Sequence, residues 1–239
     1  MSETFEIPVG AIRPPADQVL SGAGFTRESG AAARFQPLVA TALDAFDGLA
    51  QAKGIIAEVA VAEFETIYRS EVQDQQPTPV SRIFPRAEFI YLFGVTIGPA
   101  ICDRITGLFQ DHDFAQGFVL DAVASAGTEN ASAYVLKALF ELPVQNRPQD
   151  RSAAVLDYNP GYCGWHMSGQ KKLLARLGAE RIGITLNASF LMQPIKSLSG
   201  ALIGGRPEIH DAGQDFPCCA ECPDPACHDR IRRIKSWKH

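Results

Sequence analysis

The chain has 239 residues, 46% of them hydrophobic and 21% charged, with a net charge of -5. Such a composition belongs to a globular protein of one large domain or a domain with appendages, and it excludes a general nucleic-acid binder, which needs a concentrated basic face. No stretch approaches the roughly 20 apolar residues of a bilayer span, and residues 1–10 carry Glu3 and Glu6 with no apolar run behind a basic start, so a cytoplasmic protein without a signal peptide is expected.

In chain order, residues 1–30 are polar and glycine-rich, with Pro14 and Pro15 adjacent, and read as a loosely ordered arm. Over residues 31–52, Phe35, Leu38, Val39, Leu43, Phe46 and Leu49 recur at steps of three and four, which predicts an amphipathic helix. A short β-branched strand at 55–59 and a helix at 62–69 follow, and the polar stretch 73–79 with two prolines is a connection. Residues 89–97 (FIYLFGVTI) are dense in aromatic and β-branched side chains, as a buried strand requires. Gly98 and Pro99 then open a helix, since proline suits a first helical turn. Helical periodicity runs through 113–140, and 141–151 reads as a loop. Strands are expected at 154–156, 183–186 and 201–203, with a helix at 168–177 and a surface crossing at 204–216. There is neither a regular βαβ alternation nor an internal repeat, so the fold class is α+β with an irregular sheet.

The most informative segment is 157–205. Asn159, Pro160, Gly161, Tyr162, Cys163, Gly164, Trp165 and His166 are consecutive, and Pro194-Ile-Lys-Ser-Leu-Ser-Gly200 lies downstream. Pro160-Gly161 forces a turn and lets backbone approach a ligand closely. Two aromatics, an imidazole and a thiol follow at once. They suit a ligand-facing loop, or else Tyr162 and Trp165 cap the core.

Here the chain resembles the activation domain of B12-dependent methionine synthase. Pro160-Gly161-Tyr162 and the Pro194–Gly200 run match that family's two motifs in order. Val95-Thr-Ile-Gly-Pro99, and Leu120 to Ser125 followed by Glu129, look like its strand and long helix. The likeness covers roughly residues 55–205. It implies a twisted antiparallel sheet flanked by helices, with S-adenosylmethionine in a shallow groove against the loop. The implied task is to present a methyl donor and to cap a partner's cobalamin while inactive cobalt is reduced and remethylated, which is catalysis by positioning. Carried over, the ligand-facing positions are Glu129, whose carboxylate suits an α-ammonium group, together with Pro160, Gly161, Tyr162, Cys163, Ser199 and Gly200. No residue is assigned a catalytic role. Two positions depart from the family. Its arginine three residues before the proline is Asp157 here, which repels a carboxylate where arginine would clasp one, and its tyrosine after the Ser-x-Ser-Gly run is Leu202.

Residues 216–228 read FPCCAECPDPACH. Cys218, Cys219, Cys222 and Cys227 crowd into ten residues, unlike a spread disulfide framework. Thiolates this close repel unless they share a metal or are mostly protonated, so an iron–sulfur cluster or zinc is expected, with His228 a further donor for zinc, and a redox-active or merely reduced thiol cluster without metal is the alternative. Spacing alone does not choose between them. Low-potential electron delivery to a corrinoid favours iron–sulfur. Residues 229–237 resume as a short basic helix, and the basic cluster Arg230 to Lys238 reads as a solvated helix end. His112 between two aspartates and His210 beside Asp211 read as solvated turns.

Three parts are therefore expected: an arm over 1–30, an activation-domain-like unit over 31–205, and a cysteine-rich metal or cluster tail over 206–239. The function expected is that of an accessory factor for a corrinoid protein or cobalamin-dependent methyltransferase, with no nucleic-acid or membrane partner. An alternative of a different class is a non-catalytic module that binds a small molecule or the corrinoid, with a structural zinc tail.

Overall fold

A computed structural model describes residues 1–24, 30–69, 78–139 and 154–211, with the backbone alone for 30–34. The four tail cysteines and the basic segment after them lie outside the described residues.

The organising element is β3 (Phe89–Thr96), in which every residue after Phe89 is buried. Its side chains alternate between two cores. Tyr91, Phe93 and Val95 enter one, and Ile90 and Leu92 enter the other. A strand covered on both faces must be apolar throughout, which is why FIYLFGVTI lacks alternation. Around it lies a five-stranded antiparallel sheet in the order β1 (Glu3–Glu6), β2 (Lys53–Val59), β3, β7 (Ser197–Gly205), β4 (Ala154–Tyr158).

One face is covered by α3 (Gly30–Leu49), α6 (Pro99–Gln110) and the long α7 (Phe114–Ala138), with two short helices, α1 (Val9–Ile12) and α2 (Ala16–Gly22), against α7. The other is covered by α4 (Val61–Tyr68), α5 (Pro79–Ile83) and α8 (Gly169–Leu177). Small residues let α7 lie close to its neighbours: a Cβ at Gly127 would stand 2.4 Å from the Phe46 ring. A two-stranded hairpin, β5 (Thr185–Leu186) with β6 (Met192–Gln193), leads into β7.

Three regions differ from expectation. Residues 3–6 are an edge strand, with Ile7 and Ile12 buried and α1 and α2 following, and not a loose arm. Polar residues alternate with Phe5 and Ile7, and the Phe5 ring covers Gly54. Short, charged edge strands of this kind carry little sequence signal. The strand expected at 183–186 shrinks to the hairpin arm β5, outside the main sheet. Residues 206–211 do not merely cross the surface. A 3-10 turn at Pro207–His210 buries Ile209 and His210. His210 Nε2 donates to the Ala154 carbonyl at 3.1 Å, Tyr158 Oη donates to His210 Nδ1 at 2.8 Å, and Arg86 donates to the carbonyls of Ile209 and Asp211. His210 is thus a core residue and not a solvated one.

Candidate functional site

β4 is the outer strand beyond β7, and its alternation decides which residues can share a site. Leu156 and Tyr158 face the α8 side, with Ala154 at the same parity, whereas Val155 packs on the α7 side. Asp157 shares the parity of Val155 and is paired across the ladder with Leu202, so it belongs to the α7 side.

At Tyr158 the strand ends and the chain reverses. The Tyr162 amide donates to the Asn159 carbonyl (3.1 Å), the Trp165 amide to the Tyr162 carbonyl (2.9 Å) and the Gly161 amide to the Trp165 carbonyl (2.6 Å). Gly161, Cys163 and Gly164 all take positive φ, at 95°, 51° and 73°. Glycine pays no steric penalty there. Cys163 does, which marks a conformation enforced by its surroundings. The double turn divides its aromatics. Tyr162 is 59% exposed, whereas Trp165 is buried edge-on against Phe64, with ring centroids 5.4 Å apart. The two readings of these aromatics therefore both apply, one to each residue: Trp165 anchors the core and Tyr162 faces solvent.

The second motif lies beside the first. Asn159 Nδ2 donates to the Ser199 carbonyl at 2.9 Å. A Cβ at Gly200 would stand 2.6 Å from the Tyr158 carbonyl and 2.9 Å from the Phe93 ring, so only glycine lets β4 and its loop close on β7. Pro160, Gly161, Tyr162, Cys163, Ser199 and Gly200 are thus gathered at one end of the β4–β7 pair. Ser199, however, shares the parity of Ala201 and Ile203, which face the α8 core. Among the described residues its buried hydroxyl has no hydrogen-bond partner, and neither do Trp165 Nε1 and Gln170 Oε1.

Glu129 stands exposed on α7, across the opposite face, and makes no hydrogen bond or ion pair among the described residues. It continues a stripe of residues four apart, Asp121, Ser125, Glu129. Lys196, at the entry to β7, reaches this stripe: its Nζ lies 2.7 Å from Asp121 Oδ1 and donates to Ser125 Oγ at 2.8 Å. Leu202 is fully buried in the α7-side core. The α7 side of the sheet end therefore carries three carboxylates, Glu129, Asp157 and Asp121, the last of them paired with the largely buried Lys196 ammonium. Lys196, Asp121 and Ser125 were not singled out from sequence. The four-residue spacing of Asp121, Ser125 and Glu129 was the available signal.

His166 Nδ1 accepts from the Ser168 amide (3.2 Å) and lies 2.8 Å from Ser168 Oγ. The amide can only donate, so the proton of the neutral ring sits on Nε2. No group of three or more potential metal-ligating side chains occurs among the described residues, and no helix among them is long and apolar enough to cross a membrane.

No protein-family model and no curated protein matches the chain. Among solved structures, it is similar to the MetH reactivation domain bound to AdoHcy, with a TM-score of 0.64 and 16% sequence identity, over 85% of this chain and 78% of that one. The chain has the fold of the methionine synthase reactivation domain.

Proposed function

We propose that the chain is an accessory factor for a cobalamin- or corrinoid-dependent methyltransferase, and that it holds S-adenosylmethionine against the loop at 160–163 during reductive reactivation of a partner's cobalt. The observation that carries this reading is the geometry of the loop. Two glycines and Cys163 at positive φ turn Tyr162 outward while Trp165 anchors the turn beneath. A rigid turn with an outward ring loses little entropy on binding a flat ligand.

The residues fit one end of that ligand better than the other. Its sulfonium and ammonium groups are cationic, and Glu129, Asp157 and the face of Tyr162 suit cations. Its own carboxylate meets Asp157 where the family has arginine, and that end does not fit. A partner's corrinoid would supply transfer of the sulfonium methyl to cobalt reduced by one electron from a low-potential donor, the C–S electron pair leaving on S-adenosylhomocysteine. This chain's residues orient the donor: Glu129 holds the ammonium, Tyr162 covers one face, and Gly161 and Gly200 keep backbone close. Cys218, Cys219, Cys222 and Cys227 are assigned an iron–sulfur cluster or zinc on their spacing alone, and a cluster would serve as the electron donor. The reduced-thiol pattern fits a cytoplasmic setting.

Asp157 and the burial of Leu202 favour a second reading, in which the groove takes another small molecule or the corrinoid itself and the tail is a zinc-bound structural element. Calorimetric titration with S-adenosylmethionine separates the two. The first reading expects micromolar affinity, about -8 kcal/mol, weakened roughly tenfold by Glu129→Gln. Silence in the calorimeter removes S-adenosylmethionine and leaves the second. For the tail, anaerobically purified protein should carry iron or zinc that a Cys222→Ser variant loses, and protein free of both metals would end that assignment.

A further inference from the structure

Three of the four exposed aromatic side chains among the described residues meet at the corner between α6 and α7. Phe109 is 40% exposed, Phe114 58% and Phe118 47%. Phe114 and Phe118 lie one turn apart at the start of α7, and the Phe109 ring centre is 6.3 Å from that of Phe114. Gly117 makes the patch continuous: a Cβ there would stand 3.3 Å from the Phe109 ring. His112, at φ 62°, places its ring 5.7 Å from Phe114. Two carboxylates, Asp111 and Asp113, lie in the corner on either side of His112, while α6 carries one charge of each sign, Asp103 and Arg104. Clustered exposed rings on a soluble surface mark an interaction site more often than they occur by chance.

We infer that this patch is the seat of the chain's own basic segment, residues 229–238. That segment places Ile231, Ile234 and Trp237 at every third position and carries Arg230, Arg232, Arg233, Lys235 and Lys238, in a chain whose net charge is -5. An apolar stripe flanked by cations is the complement of clustered rings flanked by carboxylates. Reach is sufficient. Residues 212–228 intervene after Asp211, and these roughly 17 residues extend to about 56 Å, against a radius of gyration of roughly 18 Å for a compact chain of this length.

The test uses the full chain labelled with 5-fluorotryptophan, because its two tryptophans, Trp165 and Trp237, give one fluorine signal each. With the segment seated, the Trp237 signal is displaced from the free-indole position and shielded from a soluble paramagnetic agent. The double variant Phe114→Ser/Phe118→Ser then moves it to the free position and raises its paramagnetic broadening at least fivefold, while the core signal of Trp165 stays and reports an intact fold. Raising the salt concentration shifts the signal the same way. Three outcomes overturn the inference: a Trp237 signal at the free position in the unmodified chain, a shielded signal that ignores both phenylalanine substitutions, or shielding that grows with protein concentration and so comes from a second copy.

Discussion

A methyl group added at position 164 would stand 2.8 Å from the Cβ of Thr78, at a φ of 73°. Thr78 cannot yield easily, because its hydroxyl accepts from the Ser81 amide as the N-cap of α5 and contacts the Tyr68 hydroxyl. Gly164→Ala is therefore expected to cost about 2 kcal/mol or more, the sum of left-handed strain and a clash with a capping residue. Chemical denaturation would read this as an earlier midpoint with an unchanged slope. His210→Ala is expected to cost roughly 2–4 kcal/mol, since it opens a cavity and strips the Tyr158 hydroxyl and the Ala154 carbonyl of a buried partner. A loss under 0.5 kcal/mol would show the turn at 207–210 to be only loosely held. At this scale the sequence was partly legible. Pro160-Gly161 announces a turn by composition alone. The role of His210 was hidden, because its partners, Tyr158 and Ala154, lie more than fifty residues away.

Between elements, Lys196 is the clearest polar link from the sheet to α7. Its side chain is 12% exposed and that of Asp121 47%. Removing the cation leaves a carboxylate that water can still reach, so Lys196→Ala should cost only about 1 kcal/mol, or a fall of about 2–4 °C in Tm for a chain of this size. A larger fall would mean that the entry to β7 depends on this contact for its course. The long elements were readable because their periodicity is sustained: α3, α7 and α8 fall within a few residues of the helices expected, and β3 lies within its apolar run. The elements that escaped are β1, α1, α2, α5 and β6, each of seven residues or fewer. Over such lengths a helical and an extended pattern differ by one or two side chains. The parity that sends Ser199 to one side of the sheet and Gly200 to the other was equally invisible, because it depends on the register of β7 between β3 and β4.

For the molecule as a whole, alkaline stability has an identifiable contributor in Tyr91. Burial pushes its phenol up to about 12, and the charges of Glu58 and Glu3 add to the shift. Below pH 10 the phenol is neutral whether folded or unfolded, and its contribution is fully present. Above pH 10 the unfolded chain releases the proton first, so it binds fewer protons than the folded one and stability falls with pH. The loss should run from about pH 10 to about pH 12 and reach roughly 2–3 kcal/mol. Across that window the unmodified chain should therefore lose roughly 2–3 kcal/mol relative to Tyr91→Phe in denaturation series, and parallel curves would rule the contribution out.

The sheet order also dictates what a partly synthesised chain can do. β7 is the last strand among the described residues, yet it lies between β3 and β4. While the ribosome makes residues 159–205, at roughly 5–20 residues per second, β4 has no neighbour to pair with and the apolar β3 has one open side for several seconds. The two motifs that flank the groove come together only when that gap is filled. A message broken before codon 197 thus yields no weakened version of the site, only an exposed strand rich in aromatic and branched side chains, a substrate for chaperones and proteases.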